Sequence, residues 1–540
     1  MVASVDDWAG CLESAPAFTY CIPVMTEESG ERPRTRASAR HWAGTPVIET
    51  LLLGSLAAGV LFWRLGEGAL RDWDEALYAQ VAREMVEGGN WLTLSWNAQP
   101  YFKKPPLLFW TIALSYRVFD VGEWSTRLPS VLFGLGSVLL VGLLGRQLYG
   151  RFVGLVAGAL LLTLYPFLTH GSRQSATDAP LLFCSLLALF CAWRGRRHGT
   201  WLIGIGIAIG VGVLAKGVAA LLPLLLIGLF YWQARELSVL RSGFFWRGIG
   251  GGLCCALPWY LYQVGMHGLP FVQTFIQAET LTRLLTTYDA PTRPWYFYFA
   301  TLWEDVFHCL PLIIGFSLLA LTSWWKKEIR ISSASHFLFC WLVGSLLLVL
   351  STRTQHAWYL LPVYPPLCIF IAGMGVRLGY LLYSSPIVRS SPGLFLRQAA
   401  FAAVLGWFLC LFPDHVRRLP VQLVWVDDFY QGRNILLQEL SHQPDPGVPL
   451  YAVGVQMPGV VFYSRRATTF LSEAELANLP EFAPPLYALA PAYLGDRLGE
   501  KGLSLLRQER DWLLFAHLPV EQTALEEQEF AKQEMRTDEL

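Results

Sequence analysis

Two adjacent acids open the case for chemistry. In the stretch Asp72-Trp73-Asp74-Glu75-Ala76-Leu77-Tyr78-Ala79, the later residues Tyr78, Ala82 and Met85 fall at helical spacing. Asp74 and Glu75 therefore stand at or near a helix N-terminus, where the dipole and the free backbone N–H groups favour carboxylates. The same place suits a simple cap or a base that takes a proton from a hydroxyl. Thirty residues on, Lys103 and Lys104 precede Pro105-Pro106 and an apolar run. A lysine there either snorkels to the interface or holds a phosphate. A second acid, Asp178, ends the polar stretch His170-Gly171-Ser172-Arg173-Gln174-Ser175-Ala176-Thr177 and runs straight into apolar sequence. An acid at the mouth of a membrane span is costly unless solvated or paired. Glu279 and Arg283 precede an aromatic segment, Pro294-Trp295-Tyr296-Phe297-Tyr298, and Arg353 and His356 lead into Trp358-Tyr359. Cations and aromatics in such places are interface anchors or substrate contacts.

The elements that must carry these groups are set by composition. Of 540 residues, 54% are hydrophobic and 15% charged, against roughly a quarter charged in soluble domains, so the bilayer is the expected solvent for much of the chain. A span needs about 17–25 apolar residues. Eleven runs are good candidates: 47–64, 128–145, 152–169, 179–193, 201–215, 217–232, 248–264, 306–324, 335–351, 358–376 and 398–413. A twelfth, 105–119, is short, and its status sets the parity of every later loop. With the Arg-rich N-terminus in the cytoplasm and 105–119 not crossing, the basic connections fall on the cytoplasmic side. They carry Arg146 and Arg151; Arg194, Arg196 and Arg197; Arg235, Arg241 and Arg247; Lys326, Lys327 and Arg330; Arg377, Arg389 and Arg397. That is the positive-inside arrangement. It places 65–127, 170–178, 265–305 and 351–357 outside, and with them nearly every residue named above.

The expected organisation is a disordered cytoplasmic segment 1–46, a transmembrane domain 47–413 and a small extracytoplasmic α/β domain 414–540. In the last, 449–455 and 512–516 read as strands, and 472–478 and 493–508 as helix-like. Arg32, Arg34, Arg36 and Arg40 precede the first apolar run without a cleavage site, so that run reads as an uncleaved span; Met25 is an alternative start. The 10 cysteines show no metal spacing. Formal net charge is zero, which implies no nucleic-acid partner.

Four ordered motifs carry a resemblance. D-E-x-x-Y-A…A-R-E-M…G-x-W with Y-F-K-K-P-P-L, S-R-x-x-x-x-D, E-x-L-x-R-L-x-T…P-W-Y-F-Y and S-x-x-x-x-x-W-Y-L-L-P-x-Y-P-P follow one another over residues 70–366. Together they resemble the membrane glycosyltransferases of the GT-C fold, and more narrowly the aminoarabinose transferase and protein O-mannosyltransferase group. The resemblance implies an α-helical polytopic protein of about 11–13 transmembrane helices. It implies Asp74 as base, Glu75 beside it, Asp178 as second acid, and Lys104, Arg283 and Tyr359 as contacts to a lipid phosphate. Tyr78, Lys103, Glu279, Arg353 and His356 are further substrate contacts on the same basis. Three departures stand out. Lys103 occupies the place of an acid, Leu77 that of an arginine, and Arg283-Leu284 replaces Arg-Phe. The first puts a metal site built on that acid in doubt, so a divalent ion stays an open expectation. All three argue against copying the narrow substrate.

The chemistry agrees with the topology. No nucleotide sugars are available outside the cytoplasmic membrane, and the chain has no P-loop or dinucleotide fingerprint, so no nucleotide cofactor is expected. The sugar must then arrive on a polyprenyl phosphate, with a lipid, protein or glycan as acceptor and membrane lipids around. Such transfer needs a base for the acceptor hydroxyl and cations for the departing phosphate. The expectation is a multi-pass inner-membrane glycosyltransferase with an extracytoplasmic site. A transporter or flippase is the main alternative, but it would carry ionisable residues near mid-bilayer and repeated halves; here most span centres are apolar and no repeat is visible. A lipid-linked-glycan polymerase or ligase would share compartment and donor class.

Overall fold

A computed structural model describes residues 46–282, 293–306, 332–352, 354–384, 428–443, 447–478 and 485–517. The segment expected to be disordered, the runs 306–324 and 398–413, Arg283 and Arg353 lie outside them, but for Pro46 and Val306, which end helices named below. The chain divides into two units. One takes residues up to Trp63, Ser130–Arg173 and the described part of Thr177–Pro420. The other takes Arg64–Pro129, Gln174–Ala176 and the described part of Val421–Leu540.

The first unit is helical. It contains α1 (Pro46–Phe62) and, beyond the α2, α3 and two strands of the other unit, most of α4 (Glu123–Tyr149). Next come α5 (Arg151–Leu161), the short α6 (Tyr165–Leu168) and α7 (Asp178–Gly195). They are followed by α8 (Leu202–Lys216), α9 (Leu222–Gln233), α10 (Gly243–Phe271), α11 (Phe297–Val306), α12 (Ser333–Leu350) and α13 (Tyr364–Ser384). Among the described residues, four stretches are long and apolar enough to cross a bilayer, and a fifth is a pair bent by 74°. That pair, Arg151–Leu161 with Tyr165–Arg173, replaces the straight span expected at 152–169. Pro166, in the first turn after the break, cannot continue a helix from the residues before it. The 35-residue apolar stretch Gly199–Gln233 is two elements, as the two runs 201–215 and 217–232 suggested. Gly217 has φ +60°, and a Cβ on Gly212 would lie 3.0 Å from that of Ala220, eight residues on, so the chain turns back there.

The second unit departs from the expected division. The loop 65–127 is not an appendage of the helical domain: it folds with the C-terminal segment around one sheet. Its own elements are α2 (Asp74–Gly88), β1 (Ser95–Trp96), β2 (Gln99–Pro100) and α3 (Leu107–Phe119). The C-terminal segment adds α14 (Asp428–Ser441), β3 (Leu450–Val453), α15 (Pro458–Ser464), β4 (Thr468–Leu471) and α16 (Glu473–Asn478). It ends with β5 (Leu486–Pro491), α17 (Gly495–Gly499), β6 (Ser504–Glu509) and β7 (Trp512–His517). The sheet order is β4-β3-β5-β7-β6, with β4, β3 and β5 parallel and the last two antiparallel. The strands expected at 449–455 and 512–516 are β3 and β7. Only 495–499 of the helix-like 493–508 is α-helical, because the chain turns at Gly502 (φ +81°) into β6.

Every residue of β5 is buried, as a central strand covered on both faces requires. Alternation sends Tyr487 and Leu489 into one core and Leu486, Ala488 and Ala490 into the other. Leu70, Ala76 and Ala79 of the loop join the first core, which is why loop and C-terminal segment are one body. The run 105–119 appears as α3, 13 residues long; at 1.5 Å per residue it spans about 20 Å, short of a ~30 Å hydrocarbon core. It belongs to the sheet unit.

Candidate functional site

Asp74 is the first residue of α2. Its carboxylate is exposed and, among the described residues, takes no hydrogen bond or ion pair. Trp73, not Asp74, occupies the cap position, with no side-chain capping bond. The acid is thus held at the positive end of a helix without being consumed by it.

Glu75 points the other way. Its side chain is 1% exposed and meets Arg127, Nε to Oε1 at 2.9 Å and Nη2 to Oε2 at 3.2 Å. The N–H groups of Arg71 (2.9 Å) and Ser175 (3.3 Å) also donate to it. Burial opposes ionisation, but the charge and hydrogen bonds of Arg127 and the two backbone N–H groups outweigh it and hold the carboxyl below its usual range. Arg127 also donates to the carbonyls of Leu65, Glu67, Gly68 and Ala69. With its oxygens so occupied, Glu75 braces the loop that presents Asp74 and is no direct contact for substrate. Tyr78, expected as a contact, is buried edge-on against Phe109 at 5.2 Å and packs the core.

Lys103 is exposed and Lys104 half-buried, just before α3. The preceding hairpin turns at Asn97 and Ala98, both with positive φ. It is tied down by Glu84, which accepts from Ser95 Oγ and from the N–H groups of Asn97 and Ala98. Asn97 exchanges two hydrogen bonds with the edge strand at Thr468. The first N–H groups of α3 and the two lysines carry the same sign of charge, which suits an anion.

The helical unit gathers a second group of residues. Asp178 begins α7 and Lys216 ends α8; Nζ lies 2.6 Å from Oδ1. Each charge complements the dipole of its own helix. Lys216 also sits 5.9 Å from the Tyr359 ring centroid. Tyr359 lies in the 3-10 turn Ala357–Leu360, where Trp358 stacks with both His356 (4.3 Å) and His170 (4.4 Å). Helix α11 holds this turn through Tyr298 Oη to Thr352 Oγ1 (3.3 Å) and Asp305, which accepts from Tyr364 Oη at 2.5 Å. Gln355 Oε1 is buried and, among the described residues, has no hydrogen-bond partner. Gly171 is required behind the cluster, since a Cβ there would meet Phe167 at 2.9 Å and Leu361 at 3.0 Å. Arg173 donates to the carbonyls of Val60, Leu61 and Trp63 at the C-terminal end of α1, so the arginine of S-R-x-x-x-x-D is structural. Glu279 is half-buried in the π-helical stretch Val272–Thr282.

His170 and Gly171 thus meet the turn Ala357–Leu360 and its neighbour Leu361 within the helical unit. Lys216 was missed by sequence reading. Its signal was there: a lone charge between two apolar runs is a functional pointer in a membrane protein. Among the described residues no three of His, Cys, Asp and Glu come together as metal ligands do.

The chain is similar to several known proteins. The family described as dolichyl-phosphate-mannose-protein mannosyltransferase matches residues 103–262. The undecaprenyl phosphate-alpha-4-amino-4-deoxy-L-arabinose arabinosyl transferase 2 of Pseudomonas fluorescens is 27% identical over 420 residues, 74% of this chain and 70% of that protein. The corresponding transferase of Pseudomonas aeruginosa is 30% identical over 307 residues, but the match spans only 55% of this chain and 54% of that protein. ArnT from Cupriavidus metallidurans, solved bound to undecaprenyl phosphate, superimposes with a TM-score of 0.67 at 19% identity, covering 88% of this chain and 98% of that one. The Archaeoglobus fulgidus oligosaccharyltransferase gives 0.53 at 12% identity over 83% and 70%. The chain has the GT-C fold. It is a glycosyltransferase similar to the aminoarabinose transferases and, over residues 103–262, to the dolichyl-phosphate-mannose-protein mannosyltransferase family.

Proposed function

We propose that this chain moves a hexosyl or pentosyl group from a polyprenyl-phosphate donor to an acceptor hydroxyl or phosphate on the extracytoplasmic face of the inner membrane. The observation that carries the reading is Asp74: an exposed carboxylate, without a partner among the described residues, on a braced helix N-terminus. Asp74 takes the proton of an acceptor hydroxyl as its oxygen bonds to the anomeric carbon. The bond from that carbon to the lipid phosphate breaks on the opposite side, its electrons leave with the phosphate, and configuration inverts. An acceptor phosphate, already ionised, needs no such proton transfer. Lys104, Arg283 and Tyr359 receive the departing lipid phosphate. Asp178, paired with Lys216, orients the acceptor.

The relatives are named for undecaprenyl phosphate-linked 4-amino-4-deoxy-L-arabinose, and a polyprenyl-phosphate-linked sugar is the donor class proposed here. The sugar itself is left open by Lys103 and Leu77, which stand where the aminoarabinose transferases carry an acid and an arginine. Deleting the gene and comparing polyprenyl-phosphate sugars and surface glycolipids by mass spectrometry tests the reading. A donor should accumulate and a glycosylated product should vanish; unchanged pools of both would refute it.

A further inference from the structure

The C-terminal segment is the part of the chain with no role in the reaction so far, yet it reaches the loop that presents Asp74. Asp72 Oδ1 accepts from the Gly459 N–H at 2.8 Å, and its Oδ2 faces Arg433 Nη1 at 2.7 Å. The Arg433 side chain is 0% exposed and that of Asp72 6%. Gly459 is needed for this approach: a Cβ there would stand 2.5 Å from Asp72 Oδ1 and 2.8 Å from Arg433 Nη2. Tyr463 adds a further tie, accepting from Leu70 N–H at 2.8 Å and donating to Glu123 at 3.0 Å.

Between Asp72 and Glu75 the backbone is forced. Trp73 has φ 71° and ψ −110°, a region that non-glycine residues rarely enter, and its ring is 66% exposed, so packing of its own side chain does not hold it there. Such a conformation persists only where the surroundings over-determine it. Here they do so from both sides, with the Asp72–Arg433 pair before Trp73 and the Glu75–Arg127 pair after Asp74. Asp74 lies between the partners of two buried ion pairs.

We infer that Arg433, Asp72 and Gly459 form a clamp by which the C-terminal domain positions Asp74 for transfer. They are positioning residues, and the inference rests on the reading of Asp74 as base. Removing both charges together avoids stranding one of them in the interior, and neutral replacements of buried pairs commonly fold. The test uses the full chain in nanodiscs. The donor is the polyprenyl-phosphate sugar fraction extracted from a strain lacking the gene, and that strain's membranes supply the acceptor. Asp72→Ala with Arg433→Met should lower kcat by about 10–100-fold, the scale of an ångström-level misplacement. KM for the donor and the melting temperature should stay near wild type. Gly459→Ala, which keeps both charges but crowds the carboxylate, should lower kcat in the same way to a smaller extent. Wild-type kcat in these variants, or a loss that only follows a fallen melting temperature, overturns the inference. Asp74→Asn is measured alongside. If it turns over normally, the base reading fails and the clamp fails with it. If it is inactive while the clamp variants are normal, only the clamp fails.

Discussion

Neighbouring acids with opposite duties give the sharpest prediction. Asp74→Asn keeps size and shape, removes basicity, and touches a carboxylate that is exposed and makes no ion pair among the described residues. Its thermal unfolding should match wild type, while turnover drops roughly 10²–10⁴-fold, the usual worth of a general base. In barrier terms that is about 2.7–5.4 kcal/mol. Glu75→Gln strikes the other way. It leaves the Arg127 guanidinium, 9% exposed, without its counter-charge. Breaking a buried pair from one side costs about 3–5 kcal/mol, against a total of about 5–15 kcal/mol for a typical domain. Glu75→Gln protein should therefore unfold at distinctly lower temperature or fail to accumulate. The assay is paired: melting temperature in nanodiscs, and single-turnover transfer from the extracted donor lipid. A normal rate in folded Asp74→Asn returns the base to another acid. A stable Glu75→Gln protein would refute the bracing role and the argument from burial behind it.

Four further outcomes follow from the same geometry. Lys104→Ala and Arg283→Ala should each weaken use of the polyprenyl-phosphate donor without loss of membrane insertion; full activity in both would leave them as interface anchors. Lys216→Met removes the partner 2.6 Å from Asp178 and should reduce transfer, with an added Asp178→Asn change costing little more; losses that simply multiply would show that the two do not act as a pair. Cysteines placed at Gln99 and Gly122, flanking α3, in a chain cleared of its own cysteines, should react with an impermeant reagent from the same side, and opposite sides would overturn the parity of every later loop. Finally, Glu75 has a folded pKa below its unfolded one. Its contribution is present above the ordinary carboxylate pKa and is lost as pH falls through the lowered value. Acid unfolding of the sheet unit, followed by tryptophan fluorescence, should come at higher pH in Glu75→Gln than in wild type.

The parts of this molecule that sequence made legible are those governed by local pattern. Apolar runs marked helices, and short apolar runs in the C-terminal segment marked β3 and β7. Helix spacing at Tyr78, Ala82 and Met85 placed Asp74 at the start of α2, where it stands. What stayed hidden depends on contacts far apart in sequence. Glu75 looked like the twin of Asp74 because both are acids at one helix end. Only Arg127, 52 residues away, separates their duties, and no local pattern announces that partner. Tyr78 read as a contact because the motif contains it, whereas Phe109 packed edge-on against it makes it core. The loop 65–127 read as part of the helical domain because it lies between two spans. Its Leu70, Ala76 and Ala79 are small or few enough to escape notice as a hydrophobic face, yet they fill the sheet's core. Lys216 was obscured by the opposite cause, a strong local pattern, since two apolar runs on either side made it look like a mere boundary. Its position at a chain reversal is what carries it to Asp178. The division of labour is physical: local periodicity fixes where an acid begins a helix. Which acid keeps its charge for chemistry and which gives it to the fold is decided by the long-range cation that does or does not reach it.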